Sequence, residues 1–306
     1  MLNKLPYPIA GLALGFAALG NLLGSYSQEL RFVLGAVALL IALAVLAKII
    51  KDPKSFKEGL NHPLISSSMA TFPMAFILLA GYIRPTLPTI ALIVWCAAIV
   101  FYIGLIIVFT KNFILNFNIK KVFATYFVLY VGIVVTSLTS KAMGFPIVGI
   151  IAFWFGLLAY IALLIPVFKR LHVVKEIPDV AKPSVGIVAA PASLLLAGYL
   201  TAFDVKNPTI VIIMLIIAQL MMLYVLVQMP KFLTGPFFPA YSSFTFPFVI
   251  SAIALKQSVG YFNEALGFQH SLLTILVLSE TVIAVFMVLY VAVRYIKVLF
   301  IADKNS

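Results

Sequence analysis

Arg84, Lys141, Lys206 and Lys256 are far apart in the chain, yet each falls at or near the same end of a membrane-length apolar stretch. Basic side chains gathered at one mouth of a passage concentrate anions through the local potential, an effect that salt weakens. Taken singly, each also serves as an interfacial anchor whose stem lies along apolar neighbours. Glu280 is the opposite case. In Leu278-Ser279-Glu280-Thr281 it sits near the centre of an apolar run, where a charge is costly unless neutralised, paired or hydrated. It reads either as a proton-coupling group or as a protonated or hydrogen-bonded contact to a neighbouring helix.

Catalytic groupings are missing from the pattern. The nine acidic residues form no DxxD-type pair, no HExxH occurs, and His62, His172 and His270 are too dispersed to mark a site by spacing. A single cysteine, Cys96, excludes both a disulfide framework and a cysteine metal site. The expectation is a protein that is not an enzyme and has no metal and no cofactor. His62 precedes Pro63 and reads as a solvated helix cap.

The elements that position these residues follow from composition. Across 306 residues, 64% are hydrophobic, only 10% are charged, and the mean hydropathy is +1.17, a balance that soluble domains do not show. With about 20 apolar residues needed per crossing, ten transmembrane helices are predicted: 7–25, 30–50, 64–83, 88–110, 122–141, 146–168, 184–203, 209–229, 240–260 and 271–294. Little chain remains outside them, so residues 1–306 read as a single transmembrane domain. The first stretch is kept as a span and not a signal peptide, since it carries Gly11, Gly15, Gly20 and Gly24 and lacks a convincing cleavage site.

Gly15, Pro73, Gly132, Pro191 and Pro247 recur at intervals of 58, 59, 59 and 56 residues, each near the middle of an odd-numbered span. Helix-weakening residues at that depth belong where protein or a wet cavity supplies hydrogen-bond partners. Hydroxyl residues accompany them: Ser66, Ser67, Ser68 and Thr71 before Pro73, Thr136, Ser137, Thr139 and Ser140 after Gly132, and Thr245 and Ser251 around Pro247. Even-numbered stretches such as 32–47 and 209–228 are straight and uniformly apolar, as suits a lipid-facing layer. The architecture expected is all-α and integral to the membrane, with five helical hairpins around a central pore lined by the odd-numbered helices.

The net charge of +12 is distributed by face. Of the 21 Lys and Arg, only Arg31, Arg84, Lys141, Lys206 and Lys256 fall on one side of ten spans; the rest, from Lys4 and the Lys48, Lys51, Lys54, Lys57 group to Arg294, Lys297 and Lys304, fall on the other. The positive-inside rule then places both termini in the cytoplasm and reads the basic charge as a topology signal, with no nucleic-acid partner.

Four segments resemble the tellurite-resistance/dicarboxylate transporter family, to which the plant slow anion channel belongs. They are Pro8-Ile-Ala-Gly-Leu-Ala-Leu-Gly15-Phe-Ala-Ala-Leu, Asn61-His-Pro63 leading to Phe72-Pro73, Gly186-Ile-Val-Ala-Ala-Pro191-Ala-Ser193, and Phe244-Thr-Phe246-Pro247. The resemblance implies a homotrimer in which each protomer holds its own pore, occluded by a phenylalanine of the ninth span. Carried to this chain, the gate is Phe246, with Phe244 the weaker choice. A bulky ring beside a helix break closes a narrow pore by steric block and dewetting.

The function expected is an anion channel or transporter of the plasma membrane, a bacterial or archaeal inner membrane. It would pass small anions such as halide or nitrate, tellurite or C4-dicarboxylates, with membrane lipid and further copies of the chain as partners. A proton-coupled C4-dicarboxylate carrier using Glu280 and a non-conducting sensor subunit remain open alternatives. A ten-span exporter built of two inverted halves would show a period of half the chain, against the spacing found.

Overall fold

The computed structural model describes residues 4–267 and 270–301, and among them every regular element is helical. Lys304 lies outside the described residues. A 3-10 turn over Tyr7–Ile9 enters α1 (Ala10–Leu23), which a short link joins to α2 (Gln28–Lys51). The short helices α3 (Pro53–Leu60) and α4 (Pro63–Ser68) precede α5 (Thr71–Ile83) and α6 (Pro88–Phe109). α7 (Thr125–Tyr130) passes into a 3-10 run over Gly132–Leu138 and the single turn α8 (Ser140–Met143), then α9 (Pro146–Lys169). A 3-10 stretch over Asp179–Ala189 becomes α10 (Ala190–Ala202), followed by α11 (Pro208–Gln228) and α12 (Pro230–Leu233). A last 3-10 run, Pro239–Phe244, leads into α13 (Phe246–Leu266), and α14 (Ser271–Ile296) follows.

Helix starts are written in the sequence. α3, α6, α9 and α11 each open on proline, whose missing N–H costs nothing in the first turn. Ser27 and Asn207 cap α2 and α11 by accepting from Leu30 N at 3.1 Å and Thr209 N at 2.9 Å. Gly144 ends α8 in the left-handed region at φ 86°.

Among the described residues, 7 helical stretches are long and apolar enough to cross a membrane by length and composition; Tyr7–Leu23 and Thr125–Leu138 are apolar but shorter. Burial divides the seven. It reaches 72% in Pro63–Ile83 and 94% in Asp179–Ala202, against 22% to 33% in the other five. The less buried stretches expose large apolar side chains such as Leu40, Val100, Ile165 and Leu223, a surface matched to hydrocarbon and not to water.

The packing follows one rule of neighbours. α1 touches α5, α5 touches the 3-10 run Gly132–Leu138, that run touches α10, α10 touches α13, and α13 returns to α1. Each of these also packs on the long helix that follows it: α2, α6, α9, α11 and α14 respectively.

The expected interruptions take a particular form. Pro73, Pro191 and Pro247 do not sit in the middle of bent helices; each lies within the first three residues of a new α segment, α5, α10 and α13, where its lack of an N–H does little harm. The carbonyls freed by proline are largely recovered by tighter turns. Met69 O, four residues before Pro73, accepts from Phe72 N at 3.0 Å, and Ile187 O, four before Pro191, accepts from Ala190 N. Gly132 opens a 3-10 run.

Gly15 departs from the expectation. α1 runs through it without a break, the change from 3-10 to α occurring at Ala10. Its role is close approach: a Cβ there would stand 2.6 Å from Thr245 Cβ and 3.3 Å from Phe246 N.

Candidate functional site: a cavity ending at Phe246

A cavity of about 610 Å³ lies among the five mutually packed segments. Its wall includes the exposed residues Glu58, His62 and Val180 and the buried Leu14, Met74, Val131 and Phe246, with partly buried neighbours. Every segment of the neighbour ring contributes. Gly11 and Leu14 come from α1, Thr71 and Met74 from α5, Gly132 from its 3-10 run, Pro191 and Leu194 from α10, and Phe246 and Pro247 from α13. Of the five periodic positions, Gly132, Pro191 and Pro247 line the cavity themselves, whereas Gly15 and Pro73 stand behind neighbours on their segments that do.

Phe246 is the first residue of α13, is 5% exposed and is part of the cavity wall. Thr245 fixes its entry angle by donating from Oγ1 to Gly11 O at 2.9 Å, which ties α13 to α1. Phe244 is absent from the wall. It packs against Phe232, Tyr241 and Phe248, and its ring lies where Gly186 leaves room.

The hydroxyls in the wall are turned toward their own backbone. Ser68 donates to Ile65 O at 2.8 Å, Thr71 to Ser68 O at 2.8 Å, Ser242 to Pro239 O at 2.7 Å and Ser243 to Ala240 O at 2.6 Å. The protons of these four are committed, so they present mainly oxygen to the space, while Ser55 and Thr125, also in the wall, accept from Tyr7 and Ser67.

The four basic residues proposed for the outer vestibule are not part of this cavity wall. Three of them lie near the same feature. Lys141 Nζ donates to Asp204 Oδ1 at 2.5 Å; Lys206 adds its field to Asp204; and Arg84 donates from Nε to Ala142 O at 2.9 Å, one residue from Lys141. The Lys141 ammonium, with Lys206 beyond it, holds the Asp204 carboxyl below its usual range. Lys256 is tied instead to the α1–α2 link, through Leu22 O at 3.4 Å, Ser25 Oγ and the ring of Tyr26, 4.3 Å from its centroid. A sequence reading misses the acid at 204 because it stands 63 residues from its partner.

His62 is the residue before α4 but makes no capping hydrogen bond with its side chain; it lies at the cavity rim. Glu280 is 3% exposed. It faces Ser251 of α13 and Gln219 of α11, and Glu280 Oε2, Ser251 Oγ and Gln219 Nε2 are buried short of full hydrogen-bond geometry with one another. Among the described residues no group of three or more His, Cys, Asp or Glu could hold a metal ion.

An all-helical chain with several membrane-length apolar helices, about a buried and mostly apolar cavity, defines a multi-pass membrane protein. The family described as voltage-dependent anion channel matches residues 5–296, and the chain belongs to it. This is the tellurite-resistance/dicarboxylate transporter family of the four motifs, whose members are channels or transporters of small anions and not enzymes. Comparison with curated proteins returns no match.

Proposed function

We propose that this chain conducts small anions such as halide or nitrate through a central pore closed by Phe246. Ten transmembrane helices form five hairpins, the inner member of each lining the pore, within one domain over residues 1–306. The observation that carries the reading is the cavity itself: its wall draws on all five segments that bear the periodic Gly and Pro positions, and Phe246 is one of its buried wall residues. A ring there blocks passage by size and by excluding water. Tellurite or C4-dicarboxylate are further cargoes of the same conduit. The family resemblance supports a homotrimer with a pore in each protomer, and the charge distribution supports cytoplasmic termini in a bacterial or archaeal inner membrane. Arg84, Lys141, Lys206 and Lys256 then act at the outer mouth, with Lys141 largely offset by Asp204.

Phe246→Ala removes the ring and leaves α13 its Pro247 start, so conductance in a reconstituted bilayer should rise by roughly tenfold or more, as expected when a steric and dewetting block is lifted. Unchanged current from correctly inserted protein removes the gate assignment.

A second reading, a proton-coupled C4-dicarboxylate carrier, is favoured by Glu280, a buried carboxyl facing two uncharged polar side chains at membrane depth. It requires that malate uptake into proteoliposomes carry protons with it and that Glu280→Gln abolish the accompanying pH change. Malate uptake without any pH change in the wild-type protein eliminates this reading. Liposomes that stay impermeable to every anion tried would instead leave a non-conducting sensor subunit.

A further inference from the structure

Lys48 lies in the last turn of α2, a helix that is otherwise among the more exposed, and its side chain turns inward. It is 7% exposed and, among the described residues, is the only Lys or Arg in the cavity wall. Its Nζ donates to Leu5 O at 2.6 Å and stands 4.4 Å from the centroid of the Tyr7 ring. It forms no ion pair among the described residues. An ammonium has three N–H donors and no acceptor. The carbonyl takes one and the ring face satisfies part of the charge; Asp52, the acid whose field reaches Lys48, accepts from Ser55 N and makes no ion pair with it among the described residues, which leaves donor capacity at the cavity.

We propose that Lys48 forms a binding site for a small inorganic anion at the open mouth of the cavity, ahead of Phe246 on that side. The inference rests on the pore reading given above. Four wall hydroxyls, those of Ser68, Thr71, Ser242 and Ser243, are bonded to backbone carbonyls, and the remaining donors are neutral, so a partly dehydrated anion entering here finds its principal partner in this ammonium, with the Ser55 hydroxyl nearby. Burial strengthens the attraction relative to a surface lysine. Glu58 and His62 also line the mouth, but both are exposed and face water, where their fields are screened. Leu5 O and the Tyr7 ring hold the side chain in place, so the site needs little reordering to receive its ion.

The test is current as a function of chloride applied at the Lys48 mouth, for wild type, Lys48→Gln and Lys48→Arg. Lys48→Gln should raise the half-saturating chloride roughly three- to tenfold and leave the saturating current near that of wild type, whereas Lys48→Arg should stay close to wild type. An unchanged half-saturating concentration in a conducting Lys48→Gln protein overturns the site. Should that variant fail to fold, wild-type crystals soaked in concentrated bromide decide the matter: an anomalous peak within hydrogen-bonding reach of Nζ supports the site, and its absence overturns it. A wild-type protein that passes no anion overturns the pore reading, and the bromide map then judges the Lys48 site by itself.

Discussion

Among single residues, tolerance is narrowest where α1 crosses the start of α13. Gly15 and Thr245 approach so closely that any added Cβ meets Thr245 Cβ at 2.6 Å and its Oγ1 at 2.8 Å. Neither atom is the free end of a flexible chain, since Thr245 Oγ1 is bonded to Gly11 O. Gly15→Val should therefore cost about 1–3 kcal/mol, the usual range for forcing extra methyl groups into a packed contact, read as a lowered thermal midpoint in detergent. A midpoint equal to that of wild type would mean that the helices do not meet this closely. The same contact locates Phe246, one residue on, so the variant should also alter the basal current.

Much of the element scale was legible in the sequence, and the remainder has identifiable physical causes. Long apolar runs mark the seven membrane-length stretches found among the described residues, and prolines at 63, 88, 146 and 208 mark first turns, because length and N1 chemistry are local properties. The 58-residue recurrence also pointed to the segments that meet at the cavity. The form of the breaks was not legible. Whether a proline bends a helix or begins a new α segment after a 3-10 run depends on how the preceding carbonyls are satisfied, as Met69 O and Ile187 O are here. Nor was the true part of Gly15, which is set by a residue near the other end of the chain. Lys48 was counted as a topology charge because its face on α2 is decided by Tyr7 and Leu5, which no helical period reveals. Lys141 and Asp204 illustrate the same limit, since an ion pair between distant loops leaves no local trace.

At the scale of the whole molecule, an exposed apolar layer surrounds a buried set of broken helices. The layer is suited to lipid, and the broken set can keep irregular backbone because protein surrounds it. Polar groups along the cavity follow from that arrangement: the hydroxyls of Ser68, Thr71, Ser242 and Ser243 return their protons to carbonyls that regular α geometry would have served. The inward wall is thereby left poor in donors. On the proposed pore reading, an ion crossing it would give up water and receive little in exchange, so the ease of passage should rank with the ease of losing hydration. Thiocyanate, iodide and nitrate should outpace chloride, and chloride should outpace fluoride, in reversal-potential measurements under bi-ionic conditions; the inverse order would point to a wall that replaces water well. In ecological terms, a membrane carrying the proposed conduit would be leakiest to the largest and least hydrated anions around it, whatever solute the cell has most use for.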